Sequence, residues 1–353
     1  MMKVEVKRPG KLYIAGEYSI VEAGRKSIVT AIDSFIFLRI EEANNGVIES
    51  FNGERVSFTR GGRVTLSSED PKWAAVSSAI NIAEDYLSNE IENFSNYYIK
   101  IESQMEDESG KKFGLGSSAS VTVAMIDAIC KFYGQCLDPL TLFKLASLAV
   151  LENSPNNSCG DVAAVSFEDL VYYRSFNRKK IIQLRDGYSV FDLVNKDWPF
   201  LEIKRIGLKN EWDFSVGWTG NPASSFDLVN RIKDNKKGGK FYQEFLDKSD
   251  ICVDSIVEAI VKNDFKTFKK SIDNARKNLV SLGDEFDSDI ETRELRTLSD
   301  IAVKLGYASK LSGAGGGDCG IAIADNTFNK ELMIEKWEEN NIKFLNLDIY
   351  RGG

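Results

Sequence analysis

The chain has 353 residues, of which 43% are hydrophobic and 28% are charged, and its formal net charge is −8 at pH 7. This length suits two domains or one large α/β unit, and the composition excludes wholesale disorder. The chain contains no histidine, which excludes Ser-His-Asp and Cys-His catalysis, the common His-ligated zinc sites and proton shuttling by imidazole.

Further classes of protein are disfavoured by what the sequence lacks. No apolar run approaches ~20 residues, so we expect no membrane span. An acidic chain without a dense Lys/Arg stripe is a poor candidate for binding nucleic acid. The five cysteines form no Cys-x-x-Cys pair, which predicts reduced thiols rather than disulfides or zinc ligands. The first residues lack the apolar core of a signal peptide, and we expect a cytoplasmic protein.

The N-terminal half predicts a mixture of strands and helices. Residues 3–16 are expected to form a pair of strands that turn at Pro9-Gly10, and residues 161–175 are expected to form two more strands. The other predicted strands are 34–41, two short ones within 46–60 that break at Asn52-Gly53, and 97–103; the predicted helices are 71–88, 118–133 and 138–153.

A charged, irregular segment at 177–199 ends in Trp198-Pro199 and predicts a domain boundary. We place the two domains at residues 1–195 and 196–353. Beyond the boundary, the predicted strands are 212–219, 320–324 and 342–350, and the predicted helices are near 225–233 and at 241–262, 264–282, 290–305 and 330–340. Strands flanked by helices on one sheet indicate the α+β class.

Residues 111–120, Lys-Lys-Phe-Gly-Leu-Gly-Ser-Ser-Ala-Ser, form the strongest local motif. Glycines let a ligand approach the backbone closely, and the helix that follows offers unpaired N–H groups and the positive end of its dipole. The motif therefore predicts an anion site, although two glycines before a helix often mark only a turn. It matches neither the Walker A nor the Rossmann pattern.

Two further blocks, one near each end of the chain, also contain glycine, lysine and serine. Residues 9–19 read Pro-Gly-Lys-Leu-Tyr-Ile-Ala-Gly-Glu-Tyr-Ser, and residues 309–320 read Ser-Lys-Leu-Ser-Gly-Ala-Gly-Gly-Gly-Asp-Cys-Gly. With the glycine-rich motif, these ordered blocks resemble the signature of the GHMP kinases, which include galactokinase and the homoserine, mevalonate and phosphomevalonate kinases. The resemblance covers nearly the whole chain. It implies a two-domain α+β fold, with a ribosomal protein S5 domain 2-like N-terminal domain and a ferredoxin-like C-terminal domain, and ATP and Mg²⁺ as cofactors.

Within that family, the segments 111–118, 158–161 and 216–225 resemble the phosphomevalonate kinase branch. Tyr18 stands where mevalonate kinases usually carry a histidine. The implied reaction converts ATP and 5-phosphomevalonate to ADP and 5-diphosphomevalonate, a step of isoprenoid synthesis. The alternatives are a mevalonate kinase, another small-molecule kinase of the family, or a non-catalytic sensor of nucleotide or metabolite on the same scaffold. Oligomeric state, monomer or homodimer, is left open.

Phosphoryl transfer depends on positioning and on neutralising phosphate charge. The resemblance implies this role for Lys11 and for Lys112, with Lys111 as the alternative to Lys112. Asp161 resembles the family position of a catalytic or lysine-orienting aspartate, and its ordinary alternative is a turn carboxylate. Because an acceptor phosphate already ionises near neutral pH, we expect Asp161 mainly to orient Lys11, with proton removal secondary.

The remaining predictions concern phosphate and acceptor binding. Backbone N–H groups around residues 312–316 are expected to form a nest for an anion, while Asp318 is interpreted as a structural loop cap. Ser224 and Ser225, at the start of the helix predicted near 225–233, either cap that helix or bind a phosphate. The candidate ATP phosphate site is Gly114, Leu115, Gly116, Ser117, Ser118, Ala119 and Ser120, with Ser118 also the candidate Mg²⁺ ligand; the candidate acceptor site is Glu17, Tyr18, Ser158, Ser224, Ser225, Ser312, Gly313, Ala314 and Gly315.

Overall fold

The structure, a computed structural model, describes residues 3–207, 212–221, 239–327 and 329–352. Within these ranges the strands form one sheet of eight strands and one of four. The strands of the large sheet are β1 (Lys3–Ala15), β2 (Lys26–Glu42), β3 (Gly46–Glu49), β4 (Arg55–Arg60), β5 (Val64–Leu66), β6 (Tyr97–Ser103), β7 (Leu170–Arg174) and β8 (Glu202–Arg205). Their order is β5-β4-β3-β6-β2-β7-β8, with β1 paired to β2.

The small sheet has the order β10-β11-β9-β12, and its strands are antiparallel. They are β9 (Asp213–Trp218), β10 (Ala308–Leu311), β11 (Cys319–Ala324) and β12 (Lys343–Leu345). Helices α1 (Ala74–Leu87), α2 (Ser117–Phe132), α3 (Pro139–Asn153), α4 (Gly160–Phe167), α5 (Arg178–Leu184) and α6 (Val190–Val194) accompany the large sheet. The next helix, α7 (Lys240–Lys262), packs against β2 and along α8 (Phe265–Glu285). With α9 (Arg293–Lys304) and α10 (Lys330–Glu339), α8 accompanies the small sheet. The α+β class is confirmed.

Local sequence explains where α3 begins and where α2 ends. Asp138 accepts hydrogen bonds from the N–H groups of Leu140 and Thr141, and Pro139 occupies the first turn, as expected of a capped helix start. Gly134 follows α2 with φ of 81°, the left-handed conformation that ends many helices. These signals placed both helices correctly to within a residue or two.

The predicted strand pair at residues 3–16 is wrong. β1 is one continuous strand against β2, and Pro9-Gly10 marks a shift of register rather than a turn. A β-bulge tolerates a proline that lacks an N–H donor. A Cβ atom on Gly10 would lie only 2.9 Å from the Leu115 carbonyl oxygen, so the glycine allows the glycine-rich motif to approach β1.

The prediction of two strands in residues 161–175 is half wrong. Only Leu170–Arg174 is a strand, and Gly160–Phe167 forms α4. Val162, Ala163 and Ala164 are fully buried, so the segment carries no polar face whose period could distinguish a helix from a strand.

The end of the chain crosses back to the large sheet, which the prediction of one strand at 342–350 missed. Only Lys343–Leu345 belongs to the small sheet. Ile349 pairs with Ile32, and the N–H groups of Tyr350 and Gly352 donate to Ala31 and Glu168 at 2.9 and 2.7 Å. We call residues 348–352 the returning segment.

The large sheet extends beyond the predicted division between residues 195 and 196. Trp198 packs on Phe176 with ring centroids 4.6 Å apart, and β8 pairs with β7. The helix predicted near 225–233 lies outside the described residues. Among those described, no helix is long and apolar enough to cross a membrane.

Candidate active site

Lys11 joins the first motif to the glycine-rich motif. Its N–H donates to the Leu115 carbonyl oxygen at 2.8 Å, and its side chain covers Gly116. A Cβ atom on Gly116 would lie 2.6 Å from Lys11 Cε, and the residue has φ of 84°. Gly116 is therefore required both by its left-handed backbone and by the lysine that lies over it.

The glycine-rich motif leads into α2, whose N-cap is Gly116 without a side-chain hydrogen bond. The N–H groups of the first helical turn have no intrahelical acceptors, and they lie at the positive end of the helix dipole. The predicted phosphate site therefore has the backbone that binds anions. Gly114, Gly116 and Ser117 are half-buried and Ser118 is exposed, whereas Leu115, Ala119 and Ser120 are buried.

One of the predicted contacts at this motif has another role in the structure. The Ser120 hydroxyl is fully buried and donates to the Pro9 carbonyl oxygen at 2.7 Å, so it holds α2 against β1. Lys112 is exposed and pairs in an isolated bridge with Glu106. Burial raises the pKa of Glu106, and the charge of Lys112 opposes that rise.

A cavity of about 340 Å³ lies beside Lys11. It brings together several candidates from all parts of the chain, whereas neither Lys111 nor Lys112 contributes to its lining among the described residues. The lining residues are Lys11, Tyr13, Glu17, Tyr18, Ile20, Val21, Ser154, Asn156, Asn157, Ser158, Asp161, Gly313 and Ala314.

Asp161 enters the cavity from the first turn of α4, which starts after Cys159 at φ of 58°. Its Oδ1 accepts a hydrogen bond from the Val162 N–H at 2.9 Å. No ion pair joins Asp161 to Lys11 in the part of the chain that the structure describes. The two residues share the cavity, and the expected orientation of Lys11 by Asp161 stays a prediction.

Tyr13 lies close to both of these charged residues. Lys11 Nζ lies 5.6 Å from the centroid of the Tyr13 ring, and the Tyr13 hydroxyl lies 3.3 Å from Ser158 Oγ. Burial raises the pKa of Tyr13 strongly, and the negative charge of Asp161 raises it further. Tyr13 is therefore a neutral hydrogen-bonding group near the lysine and the aspartate.

The third motif closes the cavity through contacts with the first. The Tyr13 N–H donates to Ser312 Oγ at 2.8 Å, and the Tyr18 hydroxyl donates to the Ala314 carbonyl oxygen. Glu17 forms an ion pair with Lys310. These three links hold β1 and the residues that follow it against β10 and the loop after β10.

The predicted backbone nest at 312–316 is only partly available. The N–H of Ser312 donates to the Cys319 carbonyl oxygen and that of Gly316 to the Ile290 carbonyl oxygen, both at 2.9 Å. A Cβ atom on Gly315 would lie 2.0 Å from the Ile290 oxygen, so this glycine serves packing. A Cβ atom on Gly313 would meet no heavy atom of the described residues within 4 Å, and Gly313 lines the cavity.

Asp318 and the two cysteines of these motifs have surroundings that suit structural roles. The Asp318 carbonyl oxygen accepts from the Thr219 N–H at 3.0 Å, and its side chain lies against Gly114. Burial raises the pKa of Cys159 to about 12, and burial together with the Asp318 charge raises that of Cys319. Both thiols stay protonated at neutral pH.

Several lining residues were missing from the predicted site. Ser154, Asn156 and Asn157 belong to the polar loop between α3 and α4, directly before Ser158. A run of small polar residues between two helices was the available signal. Ser224 and Ser225, the remaining candidates, lie outside the described residues.

Two family models match the chain, GHMP kinases N terminal domain at residues 75–169 and GHMP kinases C terminal at residues 256–343. The chain belongs to the GHMP kinase family. The models lie on either side of the predicted domain division, whose exact position stays a prediction.

Phosphomevalonate kinases are among the relatives. The phosphomevalonate kinase of Streptomyces sp. (strain CL190) is 33% identical over 94% of this chain and 92% of its own. The structure of Streptococcus pneumoniae phosphomevalonate kinase in complex with phosphomevalonate and AMPPNP is 32% identical, covers 98% of this chain and 99% of its own, and has a TM-score of 0.88. A Lin0012 protein from Listeria innocua is 36% identical, covers 99% of this chain and 100% of its own, and has a TM-score of 0.92.

Proposed function

We propose that the chain is a phosphomevalonate kinase, which transfers the γ-phosphoryl group of ATP to the phosphate of 5-phosphomevalonate. The observation that carries the proposal is the shared cavity of Lys11 and Asp161, next to the N-terminus of α2. The match to the Streptococcus pneumoniae enzyme supports it, because that protein was solved with phosphomevalonate and AMPPNP. The mevalonate kinase alternative lacks its usual histidine, because Tyr18 stands there.

The arrangement accounts for the chemistry of such a transfer. A bond forms between an oxygen of the acceptor phosphate and the γ-phosphorus of ATP, and the bond from that phosphorus to the β,γ-bridging oxygen breaks to release ADP. The first turn of α2 would bind ATP phosphates through its N–H groups, and the Lys11 ammonium would offset charge on the transferring group.

Asp161 has two possible roles in this proposal. The acceptor phosphate has a second ionisation near pH ~6, so its dianion is a competent nucleophile without a general base. Asp161 would then act mainly by orienting groups in the cavity, with Tyr13 and Ser158 adjoining it. Proton removal by Asp161 is the alternative.

Mg²⁺ fits this site only with substrate oxygens as its main ligands. Among the described residues no group of three or more acidic or cysteine side chains could hold a metal. Ser118 is exposed in the first turn of α2, and its hydroxyl would complement phosphate oxygens and water, which is a usual environment of Mg²⁺. The bound ion supplies charge neutralisation on the phosphates.

We place the enzyme in the cytoplasm, as the unpaired cysteines favour.

A coupled ADP-release assay tests the function directly. We expect turnover with 5-phosphomevalonate and at least tenfold lower kcat/KM with mevalonate, because the phosphomevalonate kinase relatives and Tyr18, in place of the usual mevalonate kinase histidine, favour a phosphorylated acceptor. Equal or faster turnover of mevalonate would reject the proposal in favour of a mevalonate kinase. ATP binding by calorimetry without turnover of either acceptor would instead identify a sensor.

A further inference from the structure

Lys310 and Glu17 form an ion pair behind one wall of the cavity. Lys310 stands in β10 with a side chain that is 0% exposed, and its ammonium donates to Glu17 and to the Leu311 carbonyl oxygen. Glu17 follows β1, and 3% of its side chain is exposed, yet it contributes to the cavity lining. The pair therefore connects the small sheet to the large sheet at the edge of the cavity.

Stability alone does not explain such a pair. Removing two charges from water costs about as much free energy as their attraction returns, and apolar side chains of similar size often serve equally well. The charges of the cavity suggest a different role. Of the charged side chains that line it among the described residues, Lys11 is cationic and Glu17 and Asp161 are anionic. Without Lys310, this excess of negative charge would repel phosphate groups.

We infer that Lys310 is a positioning residue, which neutralises Glu17 and thereby lets an anionic acceptor occupy the cavity. The inference rests on the proposed function, since it takes the acceptor to be a phosphorylated carboxylic acid. Lys310 acts through Glu17, because its buried side chain forms no part of the described lining. The negative charge of Glu17 acts on the cavity wall, since together with burial it raises the pKa of Tyr18, which lines the cavity.

Two single variants change the charge of the pair in opposite directions. Lys310→Met leaves Glu17 without its partner, so the acceptor KM should rise about tenfold, with a smaller change in kcat. Glu17→Gln removes the anion and leaves the cation behind, so the acceptor KM should fall by about threefold or more. Damage to packing would instead raise KM in both variants.

The double variant Glu17→Gln/Lys310→Met restores neutrality, and its acceptor KM should return to within about threefold of wild type. Arg60→Met is the matched control. Arg60 of β4 pairs with Glu84 of α1, and their side chains are 20% and 10% exposed. Neither residue lines the cavity. This control should leave the acceptor KM unchanged.

Acceptor binding by calorimetry and Tm by circular dichroism accompany the kinetics. An unchanged or raised KM in Glu17→Gln, or an unchanged KM in a folded Lys310→Met, would overturn the inference. If Lys310→Met fails to fold, the Glu17→Gln result still decides. Failure of the wild type to use 5-phosphomevalonate would count against the proposed function instead, so the two failures remain distinct.

Discussion

Lys11 links the glycine-rich motif to the cavity, since its side chain covers Gly116 and also lines the space beside Asp161. Lys11→Ala removes the cation nearest to the proposed phosphoryl group. We expect kcat to fall on the order of 10²–10³-fold, as with other single electrostatic donors to a transition state. Steady-state kinetics with saturating ATP measures the change.

Lys7→Ala is the control for that experiment, because Lys7 lies on the same strand with an exposed side chain. It should keep kcat within about twofold of wild type. A comparable kcat for Lys11→Ala and wild type would show that Lys11 has no part in transfer.

Single residues show the limits of reasoning from sequence most clearly. Lys11, Ser158 and Asp161 were predicted as site residues from motifs, and the structure places them in one cavity. Lys310 lies inside the third motif, but nothing in the sequence shows that it is buried or that Glu17 is its partner. Such pairing depends on how two sheets meet, which local sequence does not encode.

At the scale of elements, Gly116 decides how the loop before α2 fits against β1. Gly116→Ala forces a Cβ atom to within 2.6 Å of Lys11 Cε, so the lysine side chain must move away. We expect kcat/KM to fall at least tenfold, because Lys11 then leaves its position beside the phosphate site. Coupled ADP release and ATP binding by calorimetry measure the effect.

Gly110→Ala is matched to this variant. Gly110 has φ of 81°, close to the 84° of Gly116, but a Cβ there meets no atom of the described residues within 4 Å. Both variants therefore carry the same backbone strain, and only Gly116→Ala displaces Lys11. An equal loss of activity in the two would attribute the effect to strain alone.

Elements with strong terminal signals were predicted well, and several short ones were missed. The caps of α3 and the glycine after α2 defined both helices, whereas β5, β8 and β10 were missed. A strand of three or four residues gives too few positions to show alternation, and it forms because a neighbour is already in place. The helix α4 was mistaken for a strand because it is buried on all sides.

The five cysteines allow folding of the whole molecule to be measured. Four of them are buried in different parts of the structure, Cys130, Cys159, Cys252 and Cys319, and Cys136 is exposed. Burial raises the pKa of Cys252 to about 11 and that of Cys159 to about 12. At pH 8 we expect iodoacetamide to modify only Cys136 in the folded protein and every cysteine after unfolding, as measured by mass spectrometry.

The same thiols give the sign of a pH effect. A buried thiol whose pKa is raised on folding contributes stability that is complete below ~8.5, where unfolded thiols ionise. That contribution is lost as the pH rises through the folded values of about 11 to 12. Tm should therefore fall on the alkaline side. Rapid modification of Cys159 at pH 8 would contradict this account.

The returning segment has a consequence for how the protein is made. Residues 348–352 contact Ala31 and Ile32 of the large sheet and Glu168 at the end of α4, although more than half of the chain separates them from these partners. A ribosome releases the chain in order, from the N-terminal side. The large sheet therefore gains these contacts only after nearly all of the small-sheet domain has been synthesised.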